Sequence, residues 1–184
     1  MDRKFKTTSY GKILLRTLMA MVLTTITSLF YVFMKNAFGA GAGVVFGLCN
    51  FAIFAMLLAD YTGKVAVKTA GAVRLRGWKP CPYFGLTLGL AAVSPALLSF
   101  LAVLAAKIGL LPNVMPVYNL LNMYFLPTLA LAVKPDTHAE DLSAGALLLM
   151  VLLPLAAAGI AHIAYWAEYL KIDLKSKLMF TDKK

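Results

Sequence analysis

Acidic residues are scarce. Eight Asp and Glu stand against eighteen Lys and Arg in 184 residues, a formal net charge of +10, and charged residues of both signs make up only 14% of the chain. An ordinary soluble domain carries about 25%. Cysteine is scarcer still, with only Cys49 and Cys81. They form no C-x-x-C redox pair and no disulfide framework, so both read as free thiols.

Catalytic signatures are missing as well. There is no phosphate loop ending in Gly-Lys-Ser/Thr and no His-Glu-x-x-His pair. There is no Gly-x-Ser-x-Gly elbow. No pair of carboxylates falls in the interior of the apolar spans, which disfavours an aspartyl dyad. The first span lacks the buried acid expected of a proton-coupled small multidrug exporter. His162 is the only histidine within a span and cannot by itself provide the two axial ligands of a b-type haem. These absences point away from an enzyme, and no cofactor or metal is expected.

What the chain does have is apolar length. Apolar residues make up 61% of it, and runs of about 20 recur, enough for a helix to cross a bilayer. The expected fold is all-α: a polytopic membrane bundle in a single domain, 1–184, with spans at about 13–34, 41–60, 83–106 and 143–169. The net charge does not point to nucleic acid. Fifteen of the eighteen cations fall in three blocks, Arg3–Arg16, Lys64–Lys79 and Lys171–Lys184, each flanking a span. That pattern orients membrane proteins with Lys and Arg on the cytoplasmic side. A nucleic-acid binder would show a motif or a basic helix interleaved with aromatics.

Taken in order, the basic start leads into span one, and an uncleaved anchor is favoured over a signal peptide because Thr17–Met34 exceeds a signal core. Thr24, Thr25, Thr27 and Ser28 are expected to bond carbonyls one turn back. Gly39, Gly43 and Gly47 share a helix face, as do Gly85 and Gly89, so spans two and three are expected to meet along them. Asn50 is the strongly polar side chain of span two, suited to an interhelical hydrogen bond. The basic stretch 61–82 reads as a cytoplasmic loop. Gly63, Gly71 and Gly77 argue against one long helix there, and Arg74, Arg76, Trp78 and Lys79 suit the lipid headgroup layer.

The segment 108–133 is apolar but interrupted by Pro112, Pro116, Pro127 and three asparagines. If it crossed fully, the basic tail would lie outside. If it dips in and returns, or lies along the outer surface, all three basic blocks face the cytoplasm and the acidic loop with Asp136, His138, Glu140 and Asp141 faces out. The dip or surface course is preferred. Irregular backbone at membrane depth must be shielded or line a wet cavity, so Tyr118, Asn119, Asn122 and Tyr124 are the candidate solute or partner contacts, with Asn50 and His162. Asn119 and Asn122 are expected to share a face. His162 and the acidic loop read as hydrogen-bonded or solvated groups rather than as a metal site. Tyr165, Trp166 and Tyr169 form an aromatic belt at the exit of the last span, and Ile172, Leu174, Leu178 and Met179 suit the bilayer surface beyond it.

The expected function is an accessory or scaffold subunit acting through helix contacts. The alternative is a small-solute transporter or channel built on 108–133, and a membrane enzyme ranks last. Expected partners are membrane lipids and another membrane protein or a second copy. The expected location is the cell membrane, with both termini cytoplasmic, and the compact loops point to a bacterial plasma membrane.

Overall fold

The computed structural model describes residues 3–79, 81–134 and 137–180. Asp136 of the acidic loop, Lys183 and Lys184 lie outside them, as do the side chains of Ile172, Leu174, Leu178 and Met179.

Four long helices carry the fold: α1 (Arg3–Phe38), α2 (Ala40–Arg76), α3 (Phe84–Lys107) and α6 (Ala144–Phe180). Each is long and apolar enough to cross a bilayer. Two short helices, α4 (Met115–Leu121) and α5 (Leu126–Leu129), and a 3₁₀ turn at Ala139–Asp141 connect α3 to α6. Large apolar side chains face outward on every long helix, among them Val22, Phe33, Met56, Leu98 and Ile163. In water such a surface would aggregate; in lipid it is the required exterior. The chain is a multi-pass, all-α membrane protein.

Gly39 alone separates α1 from α2. Its φ of 54° lies in the left-handed region, which glycine enters without steric penalty. The resulting hairpin sets α1 and α2 antiparallel, and residues equidistant from Gly39 face each other.

The stretch 61–82 is not a loop. α2 runs without a break through Gly63 and Gly71 to Arg76 and ends at Gly77, which turns left-handed at φ 63°. At 1.5 Å per residue the 37-residue helix is about 55 Å long, nearly twice a hydrocarbon core of about 30 Å. An interior glycine costs about 1 kcal/mol against alanine. The burial of Tyr61, Val65, Ala66 and Ala70 on the same stretch outweighs it, since full burial of one large apolar side chain contributes about 1.5–3 kcal/mol.

The glycines do approach other backbone closely, but spans two and three do not meet along them. A Cβ at Gly47 would collide with Thr128, and one at Gly43 would lie 2.6 Å from Leu131, so this face of α2 seats α5 and the turn after it. A Cβ at Gly85 would collide with Tyr165, and one at Gly89 would lie 2.7 Å from the Ala158 carbonyl oxygen, so this face of α3 seats α6. Gly39 has open space around it. Glycine spacing marks a face for close approach without saying what fills it.

The segment after α3 dips in and returns. Lys107, the last residue of α3, donates to the carbonyls of Glu140 (2.9 Å) and Leu142 (2.8 Å) just before α6. The end of α3 and the start of α6 are therefore neighbours. Between them, Asn122 reaches Ser99 and Tyr124 stacks on Phe54, well inside the bundle. The basic ends of the long helices meet at the opposite pole. There Arg16 pairs with Asp60 (3.0 Å), Phe5 packs on Trp78 and Tyr10 donates to Thr87.

Pro95 removes one backbone donor from α3, which would leave the Ala91 carbonyl without its helical partner. The Ser94 hydroxyl donates to that carbonyl at 2.8 Å. The gap that Pro95 opens in the helix is thus filled by the neighbouring serine.

Gly89→Ala should separate α3 from α6 and lower stability by about 1–3 kcal/mol. Gly159→Ala, where a Cβ meets nothing, should leave stability unchanged or raise it by about 0.5–1 kcal/mol. Thermal unfolding in one detergent measures both.

Candidate functional site

The polar groups at mid-depth are gathered where the dipping segment meets α1, α2 and α3. Asn50 lies ten residues into α2, about 15 Å along its axis. Ser28 stands eleven residues before Gly39 and Asn50 eleven after it, so the hairpin brings them together. The Thr27 hydroxyl donates to the Asn50 Oδ1. The Asn50 Nδ2 donates to the Ser28 Oγ at 3.0 Å, and that hydroxyl donates to the Met123 carbonyl at 3.3 Å. One relay thus runs from α1 through α2 to the irregular backbone between α4 and α5. Bonds in such a series polarise one another and strengthen. Thr24 and Thr25 bond the carbonyls of Ala20 and Met21, one turn back. Ser28 instead serves the dipping segment.

A second cluster lies against α3. The Asn122 Nδ2 donates to the Ser99 Oγ at 2.9 Å and to the Tyr118 carbonyl at 2.8 Å, which uses both amide protons. Ser99 donates in turn to the Ala96 carbonyl. Asn122 and Tyr124 are fully buried and Tyr118 is 1% exposed. Yet the Asn122 Oδ1 and both tyrosine hydroxyls have no hydrogen-bond partner among the described residues. Each such buried group calls for a specific explanation, such as a water or an ion. The rings themselves are held firmly. Tyr124 stacks on Phe54 with centroids 4.3 Å apart, and Phe125 meets the same ring edge-on at 5.7 Å.

Asn119 does not share this cluster. It faces a cleft of about 350 Å³ between α1 and α4–α5, beside Tyr31, Lys35 and Lys134. Asn122 caps the end of α4 with φ −116°, and its non-helical backbone turns its amide toward α3. The one-turn spacing therefore does not unite the two asparagines.

His162 is half-buried at the basic pole, its ring nearly parallel to that of Tyr83 at 6.4 Å, and its Nδ1 has no partner among the described residues. Glu168 pairs with Lys171. His138 and Asp141 belong to the opposite pole, beside Lys107. Among the described residues, no three His, Cys, Asp or Glu side chains converge as a metal site would require. Arg76 and Lys79 are exposed with Arg74 beside them, but Trp78 packs on Phe5 with centroids 5.4 Å apart. This tryptophan ties α1 to the end of α2.

Two features escaped the sequence reading. Asp60 is the shared partner of Arg16 (3.0 Å) and Lys64 (2.7 Å) at the basic pole, and it lines a groove with Glu168 between α2 and α6. Two carboxylates thus do face one groove, although each is paired to a cation. The i, i+4 spacing of Asp60 and Lys64 was a usable signal. So was reflection about Gly39, which sets Arg16 near Asp60 and Ser28 opposite Asn50. Ser99, the partner of Asn122, had no such signal.

Comparison with protein-family models, with curated proteins and with solved structures gives no match for this chain. Function must therefore be argued from the geometry.

If the relay pins the dipping segment, Ser28→Ala and Asn50→Ala should be non-additive. Their coupling energy should lie near 0.6 kcal/mol, with about 1.7 kcal/mol as the upper bound for such bonds in membranes. A double-mutant cycle on unfolding in detergent measures it.

Proposed function

We propose that this protein is a non-catalytic membrane component that works through contacts with another membrane protein. The observation that carries this reading is the closed interior. Asn50 and Asn122, the strongly polar side chains at mid-depth, are fully buried, and the amide nitrogen of each donates to protein partners: that of Asn50 to Ser28, that of Asn122 to Ser99 and the Tyr118 carbonyl. Close-approach faces inside the bundle are filled by α5 and α6. The surfaces left to act are external. They include the apolar faces of four helices and the projecting end of α2, where Leu75 is 83% exposed between two arginines. An apolar residue so exposed beyond the lipid span suits a protein partner.

The orientation belongs to the same reading. The described basic blocks lie at one pole, and the positive-inside rule assigns that pole, with both termini, to the cytoplasmic side of the cell membrane. The cleft beside Asn119 and the acidic loop then face out.

A second reading, passage of a small solute, is favoured by one observation: the hydroxyls of Tyr118 and Tyr124 and the Asn122 Oδ1 have no partner among the described residues. If an open state exposes them, they present two donors and one acceptor to a polar solute.

Purification from native membranes in mild detergent separates the two. A defined stoichiometric complex with one other membrane protein supports the subunit reading. A solitary monomer whose reconstituted vesicles leak a small polar solute, with the leak abolished by Tyr124→Phe, supports passage instead. For orientation, single cysteines replacing Leu75 and His138 in a cysteine-free chain should differ. A membrane-impermeant maleimide added to intact cells should label position 138 and not position 75.

A further inference from the structure

The basic pole holds a groove of about 520 Å³ between α1 and α2, lined by Lys12, Arg16, Lys64 and Lys68 and by the apolar side chains Leu15 and Met19. From this groove we infer a binding site for an anionic phospholipid, with its phosphate among the four cations and an acyl chain along Leu15 and Met19.

The charge arrangement is the first reason. Lys12 and Arg16 are one turn apart on α1, and Lys64 and Lys68 are one turn apart on α2. Like charges at that spacing repel. Here two such pairs line one groove, near low-dielectric lipid that screens them poorly. One carboxylate answers them: Asp60 binds Arg16 at 3.0 Å and Lys64 at 2.7 Å. Lys12 and Lys68 are exposed and pair with no carboxylate among the described residues. Four cations against one acid leave the groove short of negative charge. A phosphodiester supplies it through charge-assisted hydrogen bonds.

The shape is the second reason. Asp60 fixes two of the cations, and the Arg16 guanidinium also lies 5.7 Å from the centre of the Tyr61 ring. The mouth is therefore partly organised before any lipid arrives. Leu15 stands between Lys12 and Arg16 on α1, Met19 follows almost one turn beyond Arg16, and the two are 58% and 52% exposed. A soluble anion has no use for this track, whereas a phospholipid uses both parts. Trp166 and Tyr83 are exposed at the same pole, the residue types that mark the headgroup level. The site differs from the cluster Arg74, Arg76 and Lys79, which lies farther along α2. It also does not depend on the subunit reading, because a transporter would hold such a lipid equally well.

The test uses the full chain in mild detergent, with native mass spectrometry during titration of phosphatidylglycerol or phosphatidylcholine. Phosphatidylglycerol should bind the wild type in preference. A cation near a headgroup contributes about fivefold in affinity, so Lys12→Gln/Lys68→Gln should weaken binding about 30-fold. Lys35→Gln/Lys134→Gln removes the same charge at the opposite pole, where both side chains are exposed, and should change binding less than about threefold. Leu15→Ser/Met19→Ser should weaken the lipid while leaving binding of inorganic phosphate unchanged. Equal losses in both charge variants would reduce the effect to net charge and overturn the site. Equal binding of the two lipids would overturn it as well. If inorganic phosphate alone binds as tightly as phosphatidylglycerol and loses this with Lys12→Gln/Lys68→Gln, the occupant is a soluble anion and the lipid assignment fails. Unfolding temperatures of all variants should match the wild type, since the replaced side chains are exposed.

Discussion

A peptide group has nowhere to place its hydrogen bonds in hydrocarbon except on the protein itself. The long helices meet this demand within themselves. The segment between α3 and α6 does not, because prolines interrupt it and its two helices span only seven and four residues. It survives at depth because the long helices pack around it and side chains of α1 and α3 meet its polar groups, with Asn50 of α2 behind one of them. The relay from Thr27 through Asn50 and Ser28 to the Met123 carbonyl does this on one side. Ser99 does it on the other, through the Asn122 amide.

The same demand explains the packing of the helices. Without a hydrophobic drive between helices in lipid, association rests on close contact and hydrogen bonds. Gly47 admits α5 to the surface of α2, and Gly85 and Gly89 admit α6 to that of α3. At both places the missing side chain lets another backbone close in. Where the bundle leaves the lipid, apolar burial and ion pairs take over, as along Tyr61–Ala70 and around Asp60. One helix, α2, is thus held by two kinds of force along its length.

This division bears on function. The interior polar groups go largely to shielding an irregular segment, and three atoms, on Tyr118, Asn122 and Tyr124, have no partner among the described residues. The exterior has more to offer: a cationic groove with an apolar track at one pole, and the cleft beside Asn119 at the other. Both are open, and they face opposite ends of the bundle.

The sequence by itself determined the class of the molecule. Four apolar runs long enough to cross a bilayer and cations confined to their flanks are one-dimensional properties, and a single chain displays them in full. That 108–133 does not cross fully was also legible, because the placement of charge makes a full crossing unfavourable, but the choice of a dip over a surface course was not. Which glycine face meets which helix, that α2 continues as one rod to Arg76, and that Asn119 and Asn122 part company were decided only by the tertiary structure. The physical reason is that spacing along a helix says which residues share a face. What covers that face depends on the angles and distances between helices, which no stretch of sequence contains.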